Sequence, residues 1–246
     1  MGLLRVILNH GSWVDIVSCL ISCTVVVFLV MPIHEYAHGF MAHKLGDPTP
    51  RWQGRMTLNP MAHIDYMGAI MIYLVGFGWA RPVNIDSRYF NKPKRDMALT
   101  ALAGPVSNLL SALVFSLLRS ALLFTIIKSE LSIEYIAFTN GVMPDSYWLV
   151  LFFLLITILN FIIVINISLA VFNLIPIPPL DGSKILFAIL PDRIYWKIMR
   201  YERLLYFALI FLIFFGNGFS SALSNIVYSI VDWFTELTWL PFDFFV

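Results

Sequence analysis

Three stretches of this chain stay apolar long enough to cross a bilayer, and that restricts the fold before any motif is considered. A helix needs about 20 apolar residues to span the hydrocarbon core. Trp13 to Leu45, Met97 to Ile127 and Tyr147 to Ile175 reach that length, although the first turns polar on one side after Met31. Leu204 to Phe219 is shorter but very apolar. Ser221 to Leu240 carries Asp232 and Glu236 and reads either as a span or as an interfacial segment, where its Trp and Tyr residues would suit it. Composition agrees: 59% of the 246 residues are hydrophobic and 13% are charged, too little polar surface for a soluble domain of this size. Lipid offers backbone groups no hydrogen bonds, so spanning segments are helices or closed barrels. The expected fold is an all-α membrane protein, a polytopic helical bundle of about four to six spans in one domain over residues 1–246.

Met67 to Trp79 departs from this pattern. It is apolar but holds Gly68, Gly76 and Gly78 and is too short to span. It reads as re-entrant, interfacial or strand-forming. The residues after it, Ala80-Arg81-Pro82-Val83-Asn84-Ile85, look extended. A small membrane-associated β or re-entrant element is therefore expected beside the helices. The chain shows no internal repeat and no low-complexity linker.

Charge placement gives an orientation. Of 16 Lys and Arg, all but Arg5, Arg119 and Lys128 fall in segments 44–95 and 176–203. Two spans separate those segments, so they share a side, and the positive-inside rule makes that side cytoplasmic and the N-terminus external, in a cell membrane. The net charge of +1 implies no nucleic-acid partner. The run from Val14 to Pro32 has no small-residue cleavage site after it and reads as a retained span rather than a removed signal peptide. Val6 stands where a myristoylation signal needs Ser or Thr. Cys19 and Cys23, four apart in an apolar run, read as small buried hydrophobes on one helix face.

The first span ends in His34-Glu35-Tyr36-Ala37-His38. Residues four apart on a helix share a face, so both imidazoles can bind one zinc ion and the Glu between them can reach a water on it. With 5 His in 246 residues, chance is a poor explanation of that spacing. The competing reading is a polar helix end at the interface, but ionisable residues at membrane depth are functional by default. A catalytic zinc takes a third protein ligand. His43 lies about 140° round the helix from His38, and Lys44 stands where a second downstream His would be needed. His63 and Asp65 are possible but sit in a loop without metal-ligand spacing. Asp181 is the stronger candidate. It follows the proline-rich end of the third span, Asn173-Leu174-Ile175-Pro176-Ile177-Pro178-Pro179-Leu180-Asp181-Gly182, on the same side as the His pair. The alternative for Asp181 is a turn residue ahead of Gly182.

HEYAH on the first span, Ala103-Gly104-Pro105-Val106-Ser107-Asn108 on the second and NLIPIPPLDG on the third occur in that order within residues 30–185. Together they resemble the site-2 protease family of intramembrane zinc metalloproteases. The resemblance implies one zinc held by His34, His38 and Asp181, Glu35 as catalytic acid/base, and a substrate pocket lined by Asn173 and Asn108. An interhelical hydrogen bond is the competing role for Asn108. The stretch GFGWARPVN resembles the family's strand-forming segment, with Gly76, Gly78 and Val83 on the edge that would hold an unwound transmembrane substrate. Nothing in the chain resembles the nucleotide-sensing or peptide-binding domains of some members. Two other functions compete with a protease: a catalytically silent relative that binds membrane segments, which would have lost the Glu or a ligand, and a transporter, which would spread polar groups over several spans.

Overall fold

The computed structural model describes residues 2–76 and 78–243. Twelve α-helices follow in order among them: α1 (Leu3–Leu8), α2 (Trp13–Val25), α3 (Met31–Lys44), α4 (Thr49–Trp52), α5 (Tyr66–Val75), α6 (Pro93–Lys128), α7 (Ser132–Thr139), α8 (Tyr147–Asn173), α9 (Asp181–Ile189), α10 (Asp192–Met199), α11 (Glu202–Phe215) and α12 (Asn217–Asp243). A π-helical turn, Val26–Val30, joins α2 to α3, so Trp13–Lys44 is one continuous helix. Its start is fixed by a reciprocal cap: Ser12 accepts from the Asp15 amide, and Asp15 accepts from the Ser12 amide at 2.9 Å. The π turn comes just before Pro32. Proline has no N–H and its ring crowds the carbonyl four residues back, so the widened turn accommodates it without ending the helix.

Three helices are long and apolar enough to cross a membrane: Trp13–Lys44, Pro93–Lys128 and Tyr147–Asn173. The two C-terminal stretches read from sequence become α11 and α12. They pass the same test only together, bent by 79° at their junction, so the count is three, or up to four with the pair as one span. Four would be the lowest number expected from sequence, and three falls below it. α6 lies at the centre, packed against α3, α8, α9 and α12. Ala112 of α6, Ile163 and Ile167 of α8, and Val227, Val231 and Phe234 of α12 form one buried apolar cluster.

Met67 to Trp79 is mostly a short helix. Asp65 caps α5 by accepting from the Gly68 amide at 2.9 Å, and Gly76 ends it in the left-handed conformation, φ 79°. Gly76 is therefore a helix terminus, its N–H on the Ile72 carbonyl at 2.9 Å, and not part of an extended edge. No strand occurs among the described residues. Residues 78–86 instead belong to no helix or strand and have no partner strand among the described residues; they pack against Gly39 of α3 and Gly68 of α5.

Candidate metal centre

His34, Glu35 and His38 are all buried on α3, and Asp181 is buried at the first position of α9. The proline-rich segment after α8 turns the chain so that α9 starts beside the His pair. Gly182 permits this approach: a Cβ there would lie 2.3 Å from the Leu174 carbonyl oxygen at the end of α8.

Three ligand atoms converge. His34 Nε2 and His38 Nε2 are 3.1 Å apart, and Asp181 Oδ2 lies 3.4 Å from the first and 3.1 Å from the second. His38 Nδ1 is 2.7 Å from the Thr100 carbonyl oxygen. A carbonyl only accepts, so Nδ1 carries the proton and Nε2 turns a lone pair toward the other two atoms. Lone pairs converging in a buried place repel unless a cation lies among them. The edges also fit zinc: tetrahedral ligands at about 2.0–2.1 Å from the metal stand about 3.3 Å from one another. Among the described residues these three are the one group of His, Cys, Asp or Glu that could hold a metal ion. Burial opposes the charged form of Asp181, and the Lys184 ammonium beside it favours that form.

The other sequence candidates lie elsewhere. His63 is buried in the loop before α5 with Nε2 2.8 Å from the Thr57 carbonyl oxygen, and Asp65 is the cap of α5. A cavity of about 380 Å³ opens beside the three ligand atoms, lined by Glu35, Asn108, Asn173 and, after α5, by Gly78, Trp79, Ala80, Pro82, Val83 and Ile85. Asn108 is 1% exposed and neither atom of its amide has a partner among the described residues, so it makes no interhelical hydrogen bond there. The Asn173 amide donates to the Leu169 carbonyl at 3.0 Å. Gly78 backs onto Gly68 of α5. Val83 is buried, and its N–H donates to Glu35 Oε2 at 3.0 Å. Two more bonds anchor the same run: Arg81 N–H to the His63 carbonyl at 2.7 Å, and Asp86 N–H to the buried Asp47 at 2.8 Å.

Three residues of the site had no role from sequence. Gly104 of α6 faces the imidazoles so closely that a Cβ would lie 2.4 Å from His38 Nε2 and 2.5 Å from His34 Cε1. Thr100 supplies the carbonyl that orients His38. Lys184, one turn after Asp181, sets its Nζ 3.1 Å from Asp181 Oδ1. Gly104 stood inside a motif already noted. The other two carry no local signal, because a backbone carbonyl belongs to every residue and a Lys after an Asp is common.

The profile of peptidase family M50 matches residues 22–216. The chain belongs to peptidase family M50. Like other members of this site-2 protease family, it is a zinc metalloprotease and an integral membrane protein. Among curated proteins, this M50 member is 37% identical over 200 residues, 80% of each chain, to "Putative zinc metalloprotease YwhC" of Bacillus subtilis (strain 168). It is 26% identical over 156 residues to a protein of the same description, Rip2 of Mycolicibacterium smegmatis (strain ATCC 700084 / mc(2)155), covering 61% of this chain and 50% of that one. No solved structure gives a significant match.

Proposed function

We propose that this protease hydrolyses peptide bonds in or beside transmembrane segments of other proteins, with one zinc held by His34, His38 and Asp181 and with Glu35 carrying the proton. The observation that carries this reading is the triangle of ligand atoms, 3.1–3.4 Å on a side, with Glu35 on the same helix turn. Its depth supports a membrane substrate: Gly104, which touches both imidazoles, lies about 16 Å along α6 from the helix start. When bound, zinc supplies a Lewis acid that polarises the scissile carbonyl and acidifies the attacking water. Glu35 takes the water's proton and gives it to the leaving amine. The unpaired amide of Asn108 is free to hydrogen-bond substrate backbone in the cavity, with Asn173 beside it.

A transmembrane helix hides its carbonyls in its own hydrogen bonds and has to unwind before it is cut. The segment 78–85 is suited to hold it extended by edge pairing. Backbone N–H groups point alternately to the two sides of an extended run. Arg81 and Val83 face inward, onto His63 and Glu35, so the open side offers the Ala80 and Asn84 groups and the Pro82 carbonyl. Pro82 has no N–H, which leaves a gap in the row of donors. The orientation in this reading puts segments 44–95 and 176–203 in the cytoplasm. In support, the two segments meet at one end of the bundle, where Lys94 Nζ lies 2.6 Å from Asp192 Oδ1.

The test is Glu35→Gln in purified protein. Zinc content is expected to stay at one per chain while cleavage of a panel of transmembrane substrates falls by about 10²–10⁴-fold. Turnover near the wild-type rate would remove Glu35 from the proton path. Cleavage of soluble unfolded proteins in preference to the panel would remove the membrane substrate.

A further inference from the structure

A second cavity, about 860 Å³, does not touch the metal centre. It is a groove between the first turns of α6 and the α9–α10 corner. Its floor is apolar, formed by Ala98, Leu99 and Leu102 of α6 with Ile185 and Ala188 of α9. Its walls are tied together by Lys94, which pairs with Asp192, donates to the Leu190 carbonyl at 3.2 Å and lies 5.3 Å over the Phe187 ring. Arg95 is paired with Asp96 at 2.6 Å.

Other cations lie on and beside the groove. Lys92 sits on its rim, and Arg193, Lys197 and Arg200, an exposed stripe along α10 and its C-cap at spacings of four and three, line an adjoining pocket of about 500 Å³ that shares Asp192 and Trp196 with the groove. None of the four has an ion-pair partner among the described residues. Trp196 stands within this stripe 61% exposed, and Ile189 at the corner is 78% exposed. Basic residues interleaved with exposed Trp and Ile on a short helix beside a span are the composition of a bilayer interface. From the floor, the exposed residues Leu99, Leu102, Val106, Leu110 and Val114 continue down one face of α6 toward the middle of the span.

A molecule that matches both parts has an anionic head and a long apolar tail. We propose that the groove seats an anionic phospholipid, its phosphate against Lys92, Arg193, Lys197 and Arg200 and one acyl chain along the lane from Leu99 to Val114. An acidic peptide from a substrate's soluble tail would meet the cations but leave the floor and lane uncovered. The seat bridges α6 to the α9–α10 corner, and α9 begins at Asp181. A bound lipid therefore steadies the helix that carries the third ligand atom. This consequence rests on the metal-centre reading above, whereas the lipid site itself does not.

The experiment reads lipid retention without cleavage. Wild-type protein in mixed phosphatidylglycerol and phosphatidylcholine nanodiscs is extracted, and retained lipid is counted by native mass spectrometry. About tenfold preferential retention of phosphatidylglycerol is expected. Arg193→Gln/Lys197→Gln/Arg200→Gln is expected to abolish the preference. So is Ala98→Phe, which fills the floor without changing charge. A control with the same charge loss elsewhere, Arg51→Gln/Lys128→Gln/Arg203→Gln, keeps it, and circular dichroism reports folding in all four proteins. Equal retention of both lipids by wild type would overturn the proposal. So would a preference surviving Ala98→Phe, which would make the cations a diffuse surface charge. A soluble acidic peptide that displaces phosphatidylglycerol from the stripe at micromolar concentration would assign the groove to protein instead.

Discussion

Around Gly104, α6 meets two imidazoles and a carboxylate. About 22 Å further along the same helix, around Arg119, it meets Asn160 of α8 and Thr235 of α12. Both clusters are polar, buried and set in apolar helices, yet they differ in how their hydrogen bonds close. The terminal nitrogens of Arg119 donate to Asn160 Oδ1 and Thr235 Oγ1, and Ser116 and Ser120 each share the Thr238 hydroxyl at 2.9 Å. Only Arg119 Nε is left over. At the other cluster His34 Nδ1 and the whole Asn108 amide lack partners, and Asn108 and both imidazoles line a cavity. Polarity inside a bilayer marks a candidate for chemistry. Unpaired polar atoms facing open space separate a site that has work for a ligand from one that ties helices together.

The comparison can be broken most directly at Asp181. Asp181→Ala leaves two imidazoles and is expected to reduce zinc from one per chain to near zero in metal analysis, with cleavage lost. Zinc that persisted would return His63 or Asp65 to consideration despite their distance from the pair. Gly104→Ala sharpens the comparison on α6 itself. Its Cβ would intrude to 2.4 Å from His38 Nε2, and about 10–100-fold weaker zinc binding is expected in chelator competition, with helix content unchanged by circular dichroism. Asn84→Pro removes a donor from the open side of the extended run without touching a ligand. A rise in KM for transmembrane substrates at constant zinc content is expected, and an unchanged KM would reduce the run to packing. Val83→Pro cannot isolate this effect, because the Val83 amide already serves Glu35. At the far cluster Arg119→Met removes a buried cation and leaves the Asn160 and Thr235 oxygens without their donor, a cost of about 1–3 kcal/mol. Zinc content and cleavage should stay within about twofold while the melting midpoint falls by about 2–10 °C. Zinc loss in Arg119→Met would erase the distinction between the clusters.

The His pair was legible because its geometry is local: four residues on one helix is one face, whatever the rest of the chain does. Asp181 was legible at one remove, through the same-side topology that two intervening spans impose. Gly104 was not, although its motif was in view, because its need is set by imidazoles from another helix and no sequence period records that contact. The stretch from Met67 to Trp79 is legible as too short to span, but its sequence fits a re-entrant, an interfacial and a strand-forming segment alike. Asp65 and Gly76 are start and stop signals for α5 that the apolar run obscured. The two C-terminal runs could not reveal their 79° bend, since hydropathy counts residues and not direction.

The π turn at Val26–Val30 has a consequence for where the motif points. A wider turn inserts extra chain into the helix, and each residue advances the helical phase by about 100°. Upstream of the turn, Ser18, Cys19, Ser22 and Cys23 face the interior; downstream, His34, Glu35 and His38 do. Without the extra residue the same five-letter motif, on the same helix and at the same depth, would be swung away from the cavity. The aim of the zinc pair is therefore held by the count of apolar residues ahead of it. Deleting Val27, in a span where any valine looks expendable, should disarm the enzyme as surely as changing a histidine.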